Sequence, residues 1–418
     1  MKRSMRTILI IWVVWAVVMV GYQAYIRKRV TLKRPDYAVS WTAEETTRGS
    51  QKDKPYLLEK FLNDHVSWDS EYYLSIAIAG YDDPDMRAIS PDFSWDDYQE
   101  ALLKDEPDWV SMNYAFFPFY PLMIRALMQP LKLLGMNPIA TSTLAGVLVS
   151  MLGALAAMVA LWDIARDKLG DDGGIRAAFY LLIWPAGMFL AQVYTEGLFL
   201  GLSFGALALA RRQKWVWAGL LAAFATWTRA AGGLLLLPLV WYWWQAGEPR
   251  RLIKSFDWRG LVNGLVLLAP VAAYLIWAAT LGPNFHLVED NFFGRGLLLF
   301  KQSAEAWGAA WLWMHGSKPA GQAYYLIEFA AVAFGLFASI WLWRFDKVLA
   351  VYSLLTIIFA LTSGAAQGMH RYVMAAPALF LIPAAWGRSE AFDRSWTLAN
   401  ILLMGVFAMT FSFDFWAG

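Results

Sequence analysis

The sequence predicts an all-α polytopic membrane protein, and three observations support that prediction. The 418 residues are 59% hydrophobic and only 16% charged, whereas soluble domains are nearer half apolar and a quarter charged. The apolar residues concentrate in runs of about 20, each long enough to cross a bilayer core of roughly 30 Å as a helix. Many of the 24 Trp residues lie near the ends of these runs, as in an interfacial aromatic belt.

The N-terminal segment has a basic start and a long apolar stretch with no small-residue cleavage site after it. We therefore expect a retained first transmembrane helix within residues 1–25 rather than a cleaved signal peptide. The polar stretch that follows contains no spanning run, so we expect an extracytoplasmic loop over 26–138 that carries juxtamembrane helices. The remaining transmembrane helices are expected within 139–418, so that the chain forms a single membrane domain.

The segment 116–134 is apolar but contains Arg125, Lys132 and three prolines. Counting it as a span would place the basic residues of 211–214 and 250–259 outside, against the positive-inside rule. An amphipathic helix lying on the outer surface removes that conflict. We therefore expect about eleven spans, with the N-terminus cytoplasmic and the C-terminus outside. After the first helix, the spans are predicted near 139–162, 176–193, 196–210, 215–228, 231–245, 261–281, 323–343, 348–363, 372–387 and 396–415.

This topology places several unusual polar residues on the outer face. Glu196, Arg229 and Arg371 stand at hairpin tips or against apolar runs, where a charge is expensive and usually functional. Two outward arginines suggest a bound anion such as a lipid phosphate. A structural ion pair between Glu196 and an arginine is an equally open interpretation.

The first loop contains a predicted short helix from Tyr72 onward, ended by Gly80 as a C-cap. Ser67 and Asp69 lie near its start, and from composition alone the favoured interpretation is that one of them is an N-cap. Asp69 and Glu71 are two residues apart and point in different directions on a helix, so no metal site is predicted. The absence of Cys excludes disulfides and thiolate nucleophiles.

Five motifs follow one another along the chain: WDSEYYLSIAIAGY (68–81), FFPFYPLMIR (116–125), VYTEGLFL (193–200), the pair Thr228-Arg229, and HRY (370–372) with Pro377 downstream. In this order they resemble the PIG-V family of mannosyltransferases within the GT-C superfamily of membrane glycosyltransferases. The resemblance covers about Asp64 to Pro377, and the chain's compact loops are more similar to the bacterial relatives. This chain has Tyr72 where the family often has Trp or His, and Gly197 where the family usually has Ser.

The resemblance implies a GT-C-type fold and an inverting transfer of mannose from polyprenyl- or dolichyl-phosphate mannose to a glycolipid or lipid-linked acceptor. The active site would face outward from a bacterial cell membrane, with no cofactor, no metal and no nucleic acid. Asp69 is then the candidate catalytic base. The donor phosphate is assigned to four residues, Arg371, Arg229, His370 and Arg125. Substrate binding is assigned to Glu196, Tyr194, Glu71, Trp68, Tyr114 and Phe117, although the aromatic residues also suit interface anchoring.

Three other functions remain open at this point. A transporter or flippase of a lipid-linked saccharide would also use outward arginines, but transporters usually show paired repeats and no clear repeat is present. A non-catalytic partner subunit would be expected to lack the aspartate at position 69. A GT-C enzyme that uses another sugar is compatible with the same sequence.

Overall fold

The computed structural model describes residues 2–90, 109–255 and 258–418. Nearly all regular structure in that part of the chain is helical, which confirms the predicted fold class. The α-helices are α1 Lys2–Arg29, α2 Thr42–Glu45, α3 Ser70–Ile78, α4 Phe119–Leu131, α5 Pro138–Ile183, α6 Glu196–Arg211, α7 Trp215–Thr228, α8 Leu236–Gln245, α9 Glu248–Ser255, α10 Trp258–Val266, α11 Ala269–Thr280, α12 Gly282–Val288, α13 Phe300–Met314, α14 Pro319–Leu342, α15 Lys347–Leu361, α16 Met369–Tyr372, α17 Ala378–Trp386 and α18 Glu390–Ser412.

Shorter elements join these helices. Two strands, β1 Ala88–Ile89 and β2 Val110–Ser111, pair antiparallel with Ala88 opposite Ser111. A π-helical turn, Glu289–Phe293, follows α12. The 3-10 turns in the described residues are Pro55–Leu57, Asn63–His65, Met112–Ala115, Lys132–Leu134, Pro185–Ala191, Ala230–Leu235 and Val373–Ala375.

The helices make this a multi-pass membrane protein. By length and composition, α1, α5, α14 and α18 can each cross a membrane, and α7 and α15 are shorter apolar helices. Two bent pairs raise the number of spans in the described chain to as many as six: Pro185–Ala191 with α6, bent by 100°, and α10 with α11, bent by 44°. The expected eleven spans therefore remain a prediction.

The long helix α5 is two helices that meet at a sharp reversal. Gly170 has non-helical backbone angles (φ 76°, ψ 175°). A Cβ built on Gly174 would lie 2.9 Å from the carbonyl oxygen of Trp162, although 12 residues of straight helix would separate these positions by about 18 Å. The chain therefore turns back on itself, as predicted by the division between the segments 139–162 and 176–193.

Four predicted spans are not continuous α-helices, and one of them, 261–281, is divided between α10 and α11. The segment 176–193 is α-helical to Ile183 and continues from Pro185 as a 3-10 turn. The segment 231–245 begins as a 3-10 turn before α8, and 372–387 divides into the end of α16, a 3-10 turn and α17. Proline explains two of these breaks, at Pro185 and Pro377, because its nitrogen cannot donate to the helix ladder. The helices α12 and α13 were not predicted.

Contacts between turns divide the molecule into two ends. At one end, Ser4 donates to Asp171 at 3.1 Å, and Arg211 pairs with Asp167 at 3.2 Å and with Asp346. The chain segments that carry these residues are the ones that the charge pattern predicted to lie on one side of the membrane. At the other end of α1, Gln23 donates to the carbonyl of Asp64 at 2.8 Å. The first loop and its Asp69 therefore lie at the end opposite the N-terminus, while the cytoplasmic orientation of that terminus stays a prediction.

Close packing of α5 against α6 fixes the start of α6 beside the first loop. A Cβ on Gly197 would lie 2.0 Å from the carbonyl oxygen of Ser150, and one on Gly153 would lie 2.4 Å from Gly197. Small residues allow this approach of two helix backbones within a membrane protein. Close helix packing thus explains the glycine at position 197, where the resemblance would place Ser.

The predicted surface segment 116–134 forms α4 and the 3-10 turn after it. Its buried residues Tyr120, Ile124 and Met128 recur every fourth position along one face, whereas Leu133 and Leu134 are 91% and 60% exposed. This is the one-sided burial of an amphipathic helix. Its placement at a membrane surface remains a prediction.

Candidate active site

Asp69 immediately precedes α3, but its carboxylate does not cap that helix. Ser70 makes the local contacts instead: its hydroxyl accepts from the Ser67 N–H at 3.1 Å and donates to the Val193 carbonyl at 3.2 Å. The Ser67 hydroxyl donates to Asp414 at 3.2 Å, so the sequence interpretation that Ser67 or Asp69 caps this helix is wrong. The carboxylate keeps 28% of its surface exposed and is available for other chemistry. The helix ends at Ile78, and Gly80 follows with φ +106°, as the C-cap prediction required.

Tyr194 fixes the backbone around Asp69. Its hydroxyl accepts from the Asp69 N–H at 3.2 Å and donates to the Ser67 carbonyl at 3.2 Å. Between these two residues, Trp68 has φ +53°, a conformation that costs a bulky residue roughly 1–3 kcal/mol and is often found at functional sites. The turn that presents Asp69 is thus held on both sides by one buried tyrosine.

A chain of opposite charges connects Asp69 to two arginines. Arg229 pairs with Glu196 at 2.8 Å, and the same oxygen of Glu196 lies 3.2 Å from Arg371 Nε. Arg371 Nη1 then lies 3.6 Å from Asp69 Oδ2. Glu196 and Arg371 are almost fully buried, at 2% and 5% exposure. A distance of 3.6 Å is too long for a hydrogen bond. Arg371 therefore attracts the Asp69 carboxylate by charge, and the carboxylate oxygens remain able to accept hydrogen bonds from other groups.

A third arginine, Arg295, completes the group around the ring of Tyr372. The guanidinium carbons of Arg229, Arg295 and Arg371 lie 4.9, 4.8 and 5.0 Å from the ring centroid, and Arg371 donates to the tyrosine hydroxyl at 3.0 Å. We refer to Asp69, Glu196, Arg229, Arg295 and Arg371 as the arginine–carboxylate cluster. Sequence reasoning missed Arg295, although a charge between two glycines beside the apolar run 297–300 was a signal for it.

The charge balance of this cluster favours an anion. Three guanidinium groups face two carboxylates, and neither Nε nor Nη1 of Arg371 makes a hydrogen bond of good geometry in the described chain. Buried donors without partners are rare in proteins and call for an explanation. Burial raises the pKa of Asp69 above its ordinary value, while the charge of Arg371 opposes that rise. The site therefore combines a carboxylate of raised pKa with arginine donors that lack hydrogen bonds of good geometry.

Two of the predicted donor-phosphate residues lie outside the cluster. Arg125 donates to the carbonyls of Ile76 and Ala77, both at 2.8 Å, and so caps the C-terminal end of α3, about 12 Å from Asp69 along a nine-residue helix. His370 is 1% exposed and its two ring nitrogens face Glu328 at 3.0 Å and the Ala417 carbonyl at 2.9 Å. In this structure both side chains are occupied by contacts within the protein.

The predicted substrate residues divide in a similar way. Glu71 pairs with Arg87 at 2.8 Å and not with an arginine of the cluster, which agrees with the expectation that Asp69 and Glu71 point apart. Trp68 packs edge-to-face against Trp41 and Trp416, with centroids 5.2 and 5.0 Å away.

Tyr114 and Phe117 contact residues outside the cluster. Tyr114 donates to Asp82 at 2.9 Å, and Phe117 stacks on Trp277 at 4.6 Å. Tyr194 and Glu196, in contrast, contact cluster residues directly, as described above. Within residues 2–90, 109–255 and 258–418, no group of three or more His, Asp or Glu side chains is arranged to hold a metal ion. The predicted independence from metals and cofactors remains a prediction.

Fold and cluster together define a multi-pass membrane protein with a buried arginine–carboxylate cluster at one end of its helices. Comparison with known proteins then points to a family. Residues 94–243 match the family described as Mannosyltransferase (PIG-V), and this match confirms the resemblance drawn from the motifs.

The curated relatives that this chain matches are also named as mannosyltransferases. The protein from Cricetulus griseus named GPI alpha-1,6-mannosyltransferase 2 is 32% identical to this chain over 185 residues, which cover 42% of this chain and 31% of the relative. The two relatives that follow have the same name. The Mus musculus protein is 30% identical over 212 residues, covering 50% and 37%, and the Homo sapiens protein is 31% identical over 182 residues, covering 42% and 31%. The chain thus spans about a third of the length of the curated relatives it matches.

Two solved structures align with this chain at lower sequence identity. ArnT from Cupriavidus metallidurans, bound to undecaprenyl phosphate, aligns over 83% of this chain and 74% of its own at 14% identity, with a TM-score of 0.39. The oligosaccharyltransferase AglB from Archaeoglobus fulgidus, in complex with an inhibitory peptide and a dolichol-phosphate, aligns over 98% of this chain and 56% of its own at 11% identity, with a TM-score of 0.48.

Proposed function

We propose that this protein is an inverting GT-C-type mannosyltransferase that moves mannose from a polyprenyl-phosphate-linked donor to a hydroxyl of a lipid-linked or glycolipid acceptor. One observation carries the proposal. Asp69, whose carboxylate is accessible and does not cap a helix, lies 3.6 Å from the buried Arg371, whose Nε and Nη1 make no hydrogen bond of good geometry. The family match supplies the sugar. We propose only the chemical class of the acceptor, because this chain matches the curated relatives over about a third of their length.

The transfer requires one base and one stabilised leaving group. Asp69 takes the proton of the acceptor hydroxyl as its oxygen bonds to the anomeric carbon from the face opposite the phosphate. The bond between the anomeric carbon and the phosphate oxygen breaks, and polyprenyl phosphate leaves with the bonding electrons. Proton transfer to a positioned base is worth about 10²–10⁴ in rate.

The arginines act on the leaving phosphate. Negative charge grows on the phosphate oxygen as its bond to the sugar breaks, and donors placed there beforehand stabilise the transition state most. Arg371, Arg229 and Arg295 converge on Tyr372 within about 5 Å of its ring. Glu196 orients two of them through one oxygen. Its role is that of a positioning residue.

A lipid-phosphate donor suits this site better than a nucleotide sugar. The sequence contains no Rossmann-type glycine-rich loop for a dinucleotide or nucleotide sugar. The cluster lies at the end of the helices opposite the N-terminus, which the charge pattern places outside the cytoplasm. A donor carried by the membrane reaches such a site without a soluble nucleotide.

The proposal is tested with purified full-length protein and labelled polyprenyl-phosphate mannose, using a membrane lipid extract as acceptor. We expect label to move into a new glycolipid, with no transfer from GDP-mannose. Polyprenyl-phosphate glucose in a parallel reaction tests the sugar, and equal transfer of glucose would contradict the mannose assignment. Movement of intact lipid-linked sugar across sealed vesicles without transfer would favour the transporter alternative instead.

A further inference from the structure

A third carboxyl group, that of Glu289, lies on the turn just before Arg295 and is buried with one of its two oxygens unpaired in the described part of the chain. Glu289 begins the π-helical turn Glu289–Phe293 and is 8% exposed. Its Oε2 accepts no hydrogen bond in the described part of the chain. A buried carboxyl oxygen without a donor costs about 1–3 kcal/mol or more, so a ligand group that satisfies it would account for its retention.

The segment that follows the turn of Glu289 is hydrogen-bonded to the segment that precedes Arg371. Gly296 donates to the Ser363 carbonyl at 3.0 Å and Leu299 donates to the Thr362 carbonyl at 2.8 Å. Arg295, beside the turn, donates to the Gln367 carbonyl at 3.1 Å. The position of Glu289 is therefore set by the fold and not by a free loop.

Contacts also place the turn next to the residues that follow Asp69. The ring of Phe293 lies 6.0 Å from Tyr72 and 5.8 Å from Phe116, both edge-to-face. The charges of Arg295 and Asp69 both act on the Glu289 carboxyl. The carboxyl is thus close enough to the base and to an arginine of the cluster for both of their charges to act on it.

We propose that the Glu289 carboxyl binds a hydroxyl group of a sugar held between Asp69 and the arginines. This inference rests on the proposed function and adds a substrate-binding residue to it. A carboxyl group suits a sugar hydroxyl because it can accept a hydrogen bond from it and, when protonated, donate one as well. The sugar is either the donor mannose or the acceptor's terminal sugar. Loss of the Glu289 carboxyl would raise the donor KM in the first case and the acceptor KM in the second.

The protonation state sharpens the inference. Burial raises the pKa of Glu289 to about 8; Asp69 and Asp290 push in the same direction and Arg295 opposes them. The elements packed against α12 add Tyr114 and Tyr274 as titratable neighbours, and α12 itself carries His286. At neutral pH the carboxyl is mostly neutral. Above about 8 it becomes a second negative charge near Asp69 and loses its donor.

The experiment compares wild type, Glu289→Gln and Glu289→Ala in the transfer assay from pH 6 to 9.5. Glu305→Gln, an exposed glutamate on α13, is the matched control. We expect Glu289→Ala to raise the KM for one sugar substrate by about tenfold, the effect of one lost neutral hydrogen bond. Glu289→Gln keeps a hydrogen-bond donor and acceptor but cannot ionise, so we expect a smaller rise in that KM at pH 7 than in Glu289→Ala and no loss of activity above pH 8 of the kind expected for wild type.

The outcomes separate this inference from the proposed function. A change confined to the donor KM assigns the donor sugar, and a change confined to the acceptor KM assigns the acceptor sugar; either supports the inference. An active wild type with both KM values and the pH profile unchanged in Glu289→Ala overturns the inference alone. A wild type that transfers no mannose overturns the proposed function and this inference with it.

Discussion

Replacing Arg371 with lysine is expected to abolish most transfer while leaving the protein folded. The guanidinium lies 3.2 Å from Glu196 and 3.6 Å from Asp69 and donates to Tyr372 at 3.0 Å. A lysine ammonium keeps the charge but not the planar fork that reaches all three groups. Because the charge beside Glu196 is kept, no buried carboxylate is left unpaired, and the large cost of such a change is avoided.

The magnitude follows from what the fork does in the proposed transition state. Loss of one preorganised donor to a developing oxyanion costs about 10²–10³ in kcat, or about 2.7–4 kcal/mol. We therefore expect Arg371→Lys to lower kcat by that factor, with a smaller change in the donor KM.

The assay measures kcat and donor KM in detergent, together with the thermal unfolding midpoint. Arg394→Lys is the control, since Arg394 is 78% exposed and pairs with Glu390 on the surface of α18. Turnover within about threefold of wild type in Arg371→Lys would refute the reasoning. A collapse of the unfolding midpoint would show instead that the arginine is mainly structural.

Three further predictions concern the base and the residues around it. Because burial raises the pKa of Asp69 above its ordinary 3.8 and the base must be ionised, kcat/KM should fall with decreasing pH at a midpoint above that value; a midpoint at or below 3.8 contradicts this. Tyr194→Phe removes hydrogen bonds to Ser67 and Asp69 worth about 2 kcal/mol together, so kcat should fall about 30-fold, whereas a rise in KM alone would indicate sugar contact. Arg125→Gln should lower stability by about 2 kcal/mol through the lost cap of α3 and keep donor binding; loss of donor binding at unchanged stability would restore its predicted phosphate role.

Helical periodicity and apolar length predicted most helix positions. The segments 196–210 and 215–228 appear as α6 and α7 with nearly the same bounds. The local signal was weaker where the backbone leaves α-helical geometry, as at Pro185 and around Pro377. A run of apolar residues does not reveal whether it is one helix or two short ones, since both are compatible with the same composition.

Helices α12 and α13 were missed for a different reason. The segment 300–314 carries Lys301 and Glu305 in its first turns, which lowers its hydropathy below that of a span. Its helicity comes from residues with good propensity such as Ala and Met, not from a long apolar run. A search for spans alone passes over such helices.

The site was partly accessible from the sequence. Charges beside apolar runs identified Glu196, Arg229 and Arg371, and the structure brings all three together with Asp69. Residue type and sequence position could not show that His370 differs from these three residues. It is next to Arg371 in the chain, but its ring faces Glu328. Successive helical residues point in different directions, and only the fold shows which direction leads to the cluster.

Removing the Asp69 carboxylate is the direct test of its role as the catalytic base. Wild type, Asp69→Asn and the control Asp85→Asn, an exposed residue of the same loop, are compared for donor binding and for transfer of labelled mannose. We expect Asp69→Asn to fold, to bind the donor and to lose about 10²–10⁴ in turnover, while Asp85→Asn behaves as wild type. Near-normal turnover by Asp69→Asn would contradict the assignment of Asp69 as the base.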